Sequence, residues 1–303
     1  MEQQSSSLPR CTYCPRHCQV DRIKNEKGLC RAGNKPKVAL VSTHWWEEPC
    51  ISGTKGSGTI FFSHCNLKCL YCQNYRISQE DFGQEISIEE LAKLMLKQQS
   101  KGVHNINLVS PTQYFTQVKE SLILAKEQGL SIPIVYNTNG YECTHNIEEL
   151  KGLVDVYLPD LKYADNELGI RYSGVKDYFD KVTKAILTMY DQVGAPQFDE
   201  EGIIKRGIII RHLVLPGQIG NSKKVLDWLA AHLPKDIPIS LMCQYTPMYK
   251  AHNHPELSRR LTKREYAKII DYFFALGLEN GYVQELASAK TSYTPDFNLD
   301  GVL

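Results

Sequence analysis

The sequence predicts an α/β fold made of consecutive βα units, and three observations carry that expectation. Beyond residue 59, short apolar runs rich in β-branched residues alternate with segments whose apolar residues recur every three to four positions. Several of the helical segments open on a capping signal. Strand and helix alternate throughout, as in a parallel sheet with helical crossovers. An open doubly wound sheet and an incomplete barrel share this pattern, and both gather functional groups in the loops after the strands.

The first strand is expected over residues 59–62, ahead of a helix starting at Ser87 with Glu90 three residues on and with Ile88, Leu91 and Met95 on one side. A second strand over 105–109 precedes a helix that aligns Val118, Leu122 and Ala125. A third over 132–136 precedes a helix start at Asn146 with Glu149, and a fourth over 154–158 precedes a stripe of Phe179, Val182, Ile186 and Met189. The fifth, over 208–215, leads to a helix start at Ser222, and the sixth, over 237–242, to Thr262 with Glu265. The apolar stripes face the core. Residues 1–50 lack this rhythm and are expected to form a small Cys-rich module beside a core of residues 51–303, whose end from Tyr282 onward is a tail able to cover it.

With 42% hydrophobic and 23% charged residues, the chain can bury a core without covalent help. Thirty-five Lys and Arg against 34 Asp and Glu leave a formal charge of +1, which gives neither a nucleic-acid backbone nor an anionic membrane a general electrostatic hold. No apolar run approaches the ~18 residues of a membrane span, and the polar, Ser-rich start carries no signal-peptide pattern. A cytoplasmic protein that binds neither nucleic acid nor membrane is expected. In that reducing compartment ten cysteines suit ligand or catalytic roles better than disulfides. Seven of them fall in two groups: Cys11, Cys14, Cys18 and Cys30, then Cys65, Cys69 and Cys72.

Directly after the first strand runs Ser63-His64-Cys65-Asn66-Leu67-Lys68-Cys69-Leu70-Tyr71-Cys72. Structural zinc takes four closed ligands and C-x2-C knuckles, so three thiols with an x3 gap fit it poorly. On a [4Fe-4S] cubane the same three would leave one iron open to an outside ligand. The C-x3-C-x-aromatic-C spacing, with Tyr71 as its aromatic, closely resembles the radical S-adenosylmethionine (SAM) superfamily. More narrowly, the order of motifs over residues 50–285 is similar to the group related to pyruvate formate-lyase activating enzyme. That resemblance implies a partial (β/α)6 TIM-like barrel and an enzyme that reductively cleaves SAM at a [4Fe-4S] cluster held by Cys65, Cys69 and Cys72. The resulting 5′-deoxyadenosyl radical would abstract a hydrogen atom from the substrate. It also implies a low-potential electron donor of flavodoxin or ferredoxin type. The substrate stays open between a protein glycine, another polypeptide side chain and a small metabolite.

The resemblance continues along the later strand ends. Tyr136-Asn137-Thr138-Asn139-Gly140 resembles a D-T-N-G segment with Asn137 in place of the Asp, which implies that Asn137 and Asn139 lie near the cofactor. Asp160-Leu161-Lys162 resembles a D-L-K segment, so Asp160 and Lys162 are expected to face the methionyl group. Arg211 lies inside the apolar fifth strand and needs a partner, which a cofactor carboxylate would supply. Gln244-Tyr245-Thr246-Pro247-Met248 resembles the strand-six turn, with Gln244 toward the cofactor and Tyr245 where the activating enzymes carry a His. After the second strand those enzymes carry Gly-Gly-Glu for the methionyl amine. Here Val109-Ser110-Pro111-Thr112-Gln113 leaves the Ser110 and Thr112 hydroxyls, with backbone carbonyls, to accept the ammonium.

The amino-terminal group, C-x2-C-x3-C-x11-C, is a closed four-thiolate set suited to zinc or to a second [4Fe-4S] cluster. Trp45, Trp46, Glu47 and Glu48 could line a substrate path or pack the amino-terminal module onto the core, and packing is the expectation. Cys143 and Cys243 lie in or near strand-end loops where they could meet a substrate, although a lone cysteine usually behaves as a small hydrophobe. Two readings from other classes stand beside the radical enzyme: a nucleic-acid-binding protein, disfavoured by the charge, and a non-catalytic iron-sulfur carrier or sensor, which SAM cleavage would separate.

Overall fold

A computed structural model describes residues 10–285 and 294–302. In chain order its strands are β1 (Lys37–His44), β2 (Ser57–Phe62), β3 (Gln84–Glu85), β4 (Ile106–Val109), β5 (Ile134–Thr138), β6 (Val156–Pro159), β7 (Gln197–Phe198), β8 (Ile204–Ile208), β9 (Ile210–Leu213), β10 (Ile239–Met242) and β11 (Gly281–Val283). Its α-helices are α1 (Pro49–Ser52), α2 (Tyr75–Ser78), α3 (Ile88–Ser100), α4 (Phe115–Glu127), α5 (Thr144–Glu149), α6 (Asn166–Ser173), α7 (Tyr178–Val193), α8 (Ile219–His232) and α9 (Lys263–Ala275).

Strands β2, β4, β5, β6 and β8 lie side by side in parallel, and β9, β10 and β11 form a second parallel run. The two runs meet where Asp160 bridges to Arg211 and the Leu161 N–H donates to the Arg211 carbonyl at 2.8 Å. Spatial order thus follows chain order without the reversal that defines a doubly wound sheet. The wall is an incomplete barrel that runs from β3 to β11, with the two-residue β7 set antiparallel beside β8. All six residues of β2 are buried, without alternation, because a parallel strand is covered on both faces.

Helices α3 and α9 open on the expected capping boxes, Ser87 with Glu90 and Thr262 with Glu265. The other two expected starts are displaced by tertiary partners. Helix α5 begins at Thr144, and Asn146 donates from Nδ2 to the Tyr13 carbonyl at 2.8 Å. Helix α8 begins at Ile219, and Ser222 Oγ lies 2.9 Å from His212 Nε2. Both side chains are buried, so a partner across the fold takes the polar atom that would have capped a helix.

The expected boundary at residue 50 also moves. Strand β1 pairs antiparallel with β2, Val41 opposite Ile60, so residues 37–44 belong to the barrel wall. Residues 10–36 contain neither strand nor helix. Trp45 and Trp46 do not pack a module onto the core: they are exposed, Trp46 at 64%, whereas Glu48 is buried. Tyr282 and Val283, at the start of the expected tail, belong with Gly281 to β11 on the edge of β10. Farther on, Phe297 packs against Phe61 with ring centroids 5.6 Å apart, and the Leu299 N–H donates to the Ala39 carbonyl, so this part of the tail does cover β1 and β2. The intervening part of that expectation, residues 286–293, lies outside the described residues. Among the described residues no helix is long and apolar enough to cross a membrane.

Candidate active site

A cavity of about 320 Å³ opens at the carboxyl ends of the parallel strands, the position the fold favours for function. Cys65, Cys69 and Cys72 are the cysteines that line it. They arrive there because the chain leaving β2 turns at His64, which holds the left-handed region at φ 70°. The ring of His64 fixes that turn, with Nδ1 2.7 Å from Tyr114 Oη and Nε2 2.6 Å from Asp81 Oδ1.

Each of the three sulfurs has a polar side chain beside it. Asn139 donates from Nδ2 to Cys65 Sγ at 3.4 Å, Ser173 Oγ lies 3.1 Å from Cys69 Sγ, and Ser78 Oγ lies 3.3 Å from Cys72 Sγ. Burial pushes the Cys65 and Cys69 thiols up to about 11, so ligation to a metal would release their protons. Among the described residues no three His, Cys, Asp or Glu side chains converge on a single ion position. A mononuclear site needs that convergence, whereas a [4Fe-4S] cubane takes each thiolate on a separate iron. Three soft thiols in one loop fit the cubane as a donor set and leave it one iron without a protein ligand.

The later strand ends deliver Ser110, Asn137, Asn139, Asp160, Lys162, Arg211 and Gln244 to the same cavity, and Tyr71 joins them from the cysteine loop. Ser110 sits at φ 57°, with its carbonyl accepting from Gln113 Nε2 at 2.7 Å. Lys162 Nζ pairs with Asp160 Oδ2. Burial works against the Lys162 charge, but Asp160 outweighs it and holds the ammonium well above its ordinary range. Tyr71 stacks edge-on against Tyr245 at 5.8 Å and bonds Tyr163 Oη at 2.6 Å. Gln244 Oε1 accepts from Gln284 Nε2 at 3.1 Å.

One expected cofactor contact lies outside the cavity, and a second residue has partners of its own. Thr112 does not line the cavity: it is buried, and its hydroxyl donates to Glu142 Oε1, which also takes the Thr138 hydroxyl. Arg211 lines the cavity but already has its counter-charges. Its Nε donates to Glu48 Oε1 at 2.8 Å and its Nη2 to Glu47 Oε2, while Asn107 Nδ2 holds the other Glu47 oxygen at 2.9 Å. With a carboxylate on either side, Arg211 does not need a cofactor carboxylate to satisfy its charge. Of the lone cysteines, Cys143 and Cys243 are buried away from the cavity, in keeping with small hydrophobes.

Sequence reasoning missed Glu142, Ser78 and Ser173. Ser173 meets Cys69 across 104 positions and Glu142 meets Thr112 across 30, so no local pattern marks those contacts, while Ser78 and Cys72, six apart, share no spacing that signals a pair. For Glu47 and Glu48 a signal existed: an arginine inside an apolar strand and two adjacent carboxylates before another strand are complementary.

The sequence model of the Radical SAM superfamily matches residues 59–229. The chain belongs to the radical SAM superfamily. The matched span begins inside β2 and runs into α8, so it contains the cysteine loop and the strand ends through Arg211. This radical SAM enzyme is 34% identical over 274 residues to the uncharacterized protein MJ0674 of Methanocaldococcus jannaschii, covering 86% of this chain and 73% of that one. It is 29% identical over 181 residues to a pyruvate formate-lyase-activating enzyme of Clostridium pasteurianum, covering 56% of this chain and 66% of that one. Its fold is similar to the crystal structure of Streptococcus suis SuiB bound to precursor peptide SuiA, with a TM-score of 0.51 and 15% identity over 75% of this chain. The radical SAM chain spans about half of that structure, 48%.

Proposed function

We propose that this radical SAM enzyme holds a [4Fe-4S] cluster on Cys65, Cys69 and Cys72, binds SAM above it, and removes a hydrogen atom from a substrate admitted to the 320 Å³ cavity. When bound, the reduced cluster supplies the electron that splits the sulfonium to methionine and a 5′-deoxyadenosyl radical. The observation that carries the reading is convergence: three thiols of one loop and polar side chains from successive strand ends line one cavity. Lys162, steadied by Asp160, offers the cation for the methionyl carboxylate. Ser110 and nearby carbonyls accept the methionyl ammonium, in place of the carboxylate that the activating enzymes carry after strand two. Asn137 and Gln244 supply further hydrogen-bonding groups, and Asn139 steadies the loop through Cys65 and Asn66. The reductant is a low-potential donor of flavodoxin or ferredoxin class, and the protein works in the cytoplasm.

Activation of a glycyl-radical enzyme is the finer reading. It is supported by the Clostridium relative and by the Asp160-Leu161-Lys162 segment. The absent Gly-Gly-Glu segment separates this chain from that group, and keeps a different polypeptide side chain or a small metabolite as the alternative substrate.

The test is anaerobic reconstitution followed by reduction with a low-potential donor. Expected products are 5′-deoxyadenosine and methionine, with none formed by the variant carrying Cys65→Ala, Cys69→Ala and Cys72→Ala. Undiminished cleavage by that variant would overturn the proposal. Deuterated candidate substrates then identify the hydrogen donor by deuterium in the 5′-deoxyadenosine.

A further inference from the structure

The amino-terminal segment has a site of its own. Residues 10–36 have no helix or strand, yet Cys11, Cys14, Cys18 and Cys30 surround a void of about 10 Å³, roughly one water molecule in size. The segment is tightly determined around it. The Cys11 N–H donates to the Val20 carbonyl at 3.1 Å, the Gln19 N–H returns to the Cys11 carbonyl at 3.0 Å, and a Cβ added at Gly28 would stand 2.6 Å from Cys18 Sγ.

Two arginines line the same void, Arg16 and Arg22. Arg22 is 2% exposed, with Nη2 3.5 Å from Cys30 Sγ, the guanidinium 4.9 Å from the Tyr13 ring centre, and Nη1 donating to the Gln113 carbonyl. Its Nε has no hydrogen-bond partner among the described residues, and neither does the buried Nη2 of Arg16. No carboxylate pairs with either arginine among the described residues. A guanidinium does not lose its proton, and a buried charge without a counter-charge is strongly destabilising. Four neutral thiols would leave Arg22 an uncompensated buried cation, whereas Arg16 is partly exposed and donates from Nη1 to the Gly174 carbonyl at 2.8 Å. Four thiolates on a divalent centre leave two net negative charges, for a zinc ion as for an oxidised [4Fe-4S] cluster.

We infer that Cys11, Cys14, Cys18 and Cys30 bind a closed four-thiolate metal centre whose net negative charge is balanced by Arg22 and Arg16. The small void suits a single ion, and thiols that do not converge on one point suit a cubane. The counter-charge Arg22 requires is the same for both. The centre also buttresses the candidate active site. Arg22 holds Gln113, whose side-chain amide gathers the carbonyls of Ser63, His64 and Ser110, and Arg16 Nε donates to the carbonyl of Asn66, the residue after Cys65.

The variant carrying Cys65→Ala, Cys69→Ala and Cys72→Ala isolates this centre, because it lacks the other thiol group and so does not depend on the proposed function. Produced anaerobically with iron and zinc both supplied, it is expected to retain roughly one zinc or about four irons per chain, and to lose that metal when Cys14→Ser and Cys30→Ser are added. Either metal supports the centre and identifies it. Arg22→Leu is expected to weaken metal retention against a chelator by about 10- to 100-fold, and Arg22→Lys, which keeps the charge, by less. Because Arg22→Leu risks misfolding, alkylation of the wild-type chain provides an independent measurement: the four amino-terminal thiols should be protected in the folded protein. A folded triple variant with neither metal, or free alkylation of all four thiols in the folded wild type, would overturn the site. Unchanged retention in a folded Arg22→Leu variant would overturn the charge assignment.

Discussion

Asn139 Nδ2 lies 3.4 Å from Cys65 Sγ, so a side chain just beyond the end of β5 reaches back to the sulfur that follows β2. With Ser173 on Cys69 and Ser78 on Cys72, the cysteine loop carries a hydrogen-bond partner for each thiol, drawn from three different segments. Hydrogen bonds to sulfur favour the reduced, more negative state of a cluster and raise its potential. Ser173→Ala is therefore expected to lower the cluster potential by roughly 20–60 mV, the one-electron equivalent of a ~0.5–1.5 kcal/mol hydrogen bond. An EPR-monitored redox titration reads this, and an unchanged potential would assign Ser173 to Tyr163 alone, whose hydroxyl it meets at 2.8 Å.

Lys162→Ala should weaken SAM binding by about 10- to 100-fold, the loss of a charge-assisted hydrogen bond, while cluster iron is retained. Equilibrium dialysis with labelled SAM beside an iron assay separates the two. Equal affinity in variant and wild type would confine Lys162 to its pairing with Asp160.

Arg211→Met should act on stability rather than on the cofactor. It strands Glu47 and Glu48, both nearly buried, and removing one partner from a buried ion pair costs about 3–5 kcal/mol. Adding Glu47→Gln and Glu48→Gln should recover part of that loss in denaturant melts. A variant of normal stability with much weaker SAM binding would restore Arg211 as a cofactor ligand.

Glu142 ties stability to pH. Burial raises its carboxyl from 4.5 to about 7, against the lowering effect of the Thr112 and Thr138 hydroxyls. For an acid whose folded value is raised, the contribution to stability is fully present below its unfolded value and is lost as pH rises through the folded one. The wild type should therefore lose up to about 3 kcal/mol relative to Glu142→Gln between pH 4.5 and 7. Paired unfolding curves across that range measure the difference, and a pH-independent difference would contradict the assignment.

How much of this was written locally can be judged residue by residue. The strand and helix alternation, the capping boxes at Ser87 and Thr262, and the cysteine spacing were all legible, because each is set by neighbours a few positions apart. The strand-end segments at Asn137, Asp160 and Gln244 could be placed on one cavity for the same reason: the end of a parallel strand is a local event, and the fold brings such ends together. The partners of those residues were not legible. Arg211 meets Glu48 163 positions away in the chain, Asn139 meets Cys65 across 74, and Thr112 meets Glu142 across 30. Periodicity carries no information at such separations, so the carboxylates that pair with Arg211 were supplied by topology and not by anything near it in the chain. The antiparallel β1, between β3 and β2, and the edge strand β11 belong to the same class, since each is defined by the strands it pairs with. Local sequence determined the βα units and the thiol loop; tertiary structure decided which charges and hydroxyls are already satisfied inside the wall, because burial leaves each polar atom to the partner the chain path brings within reach.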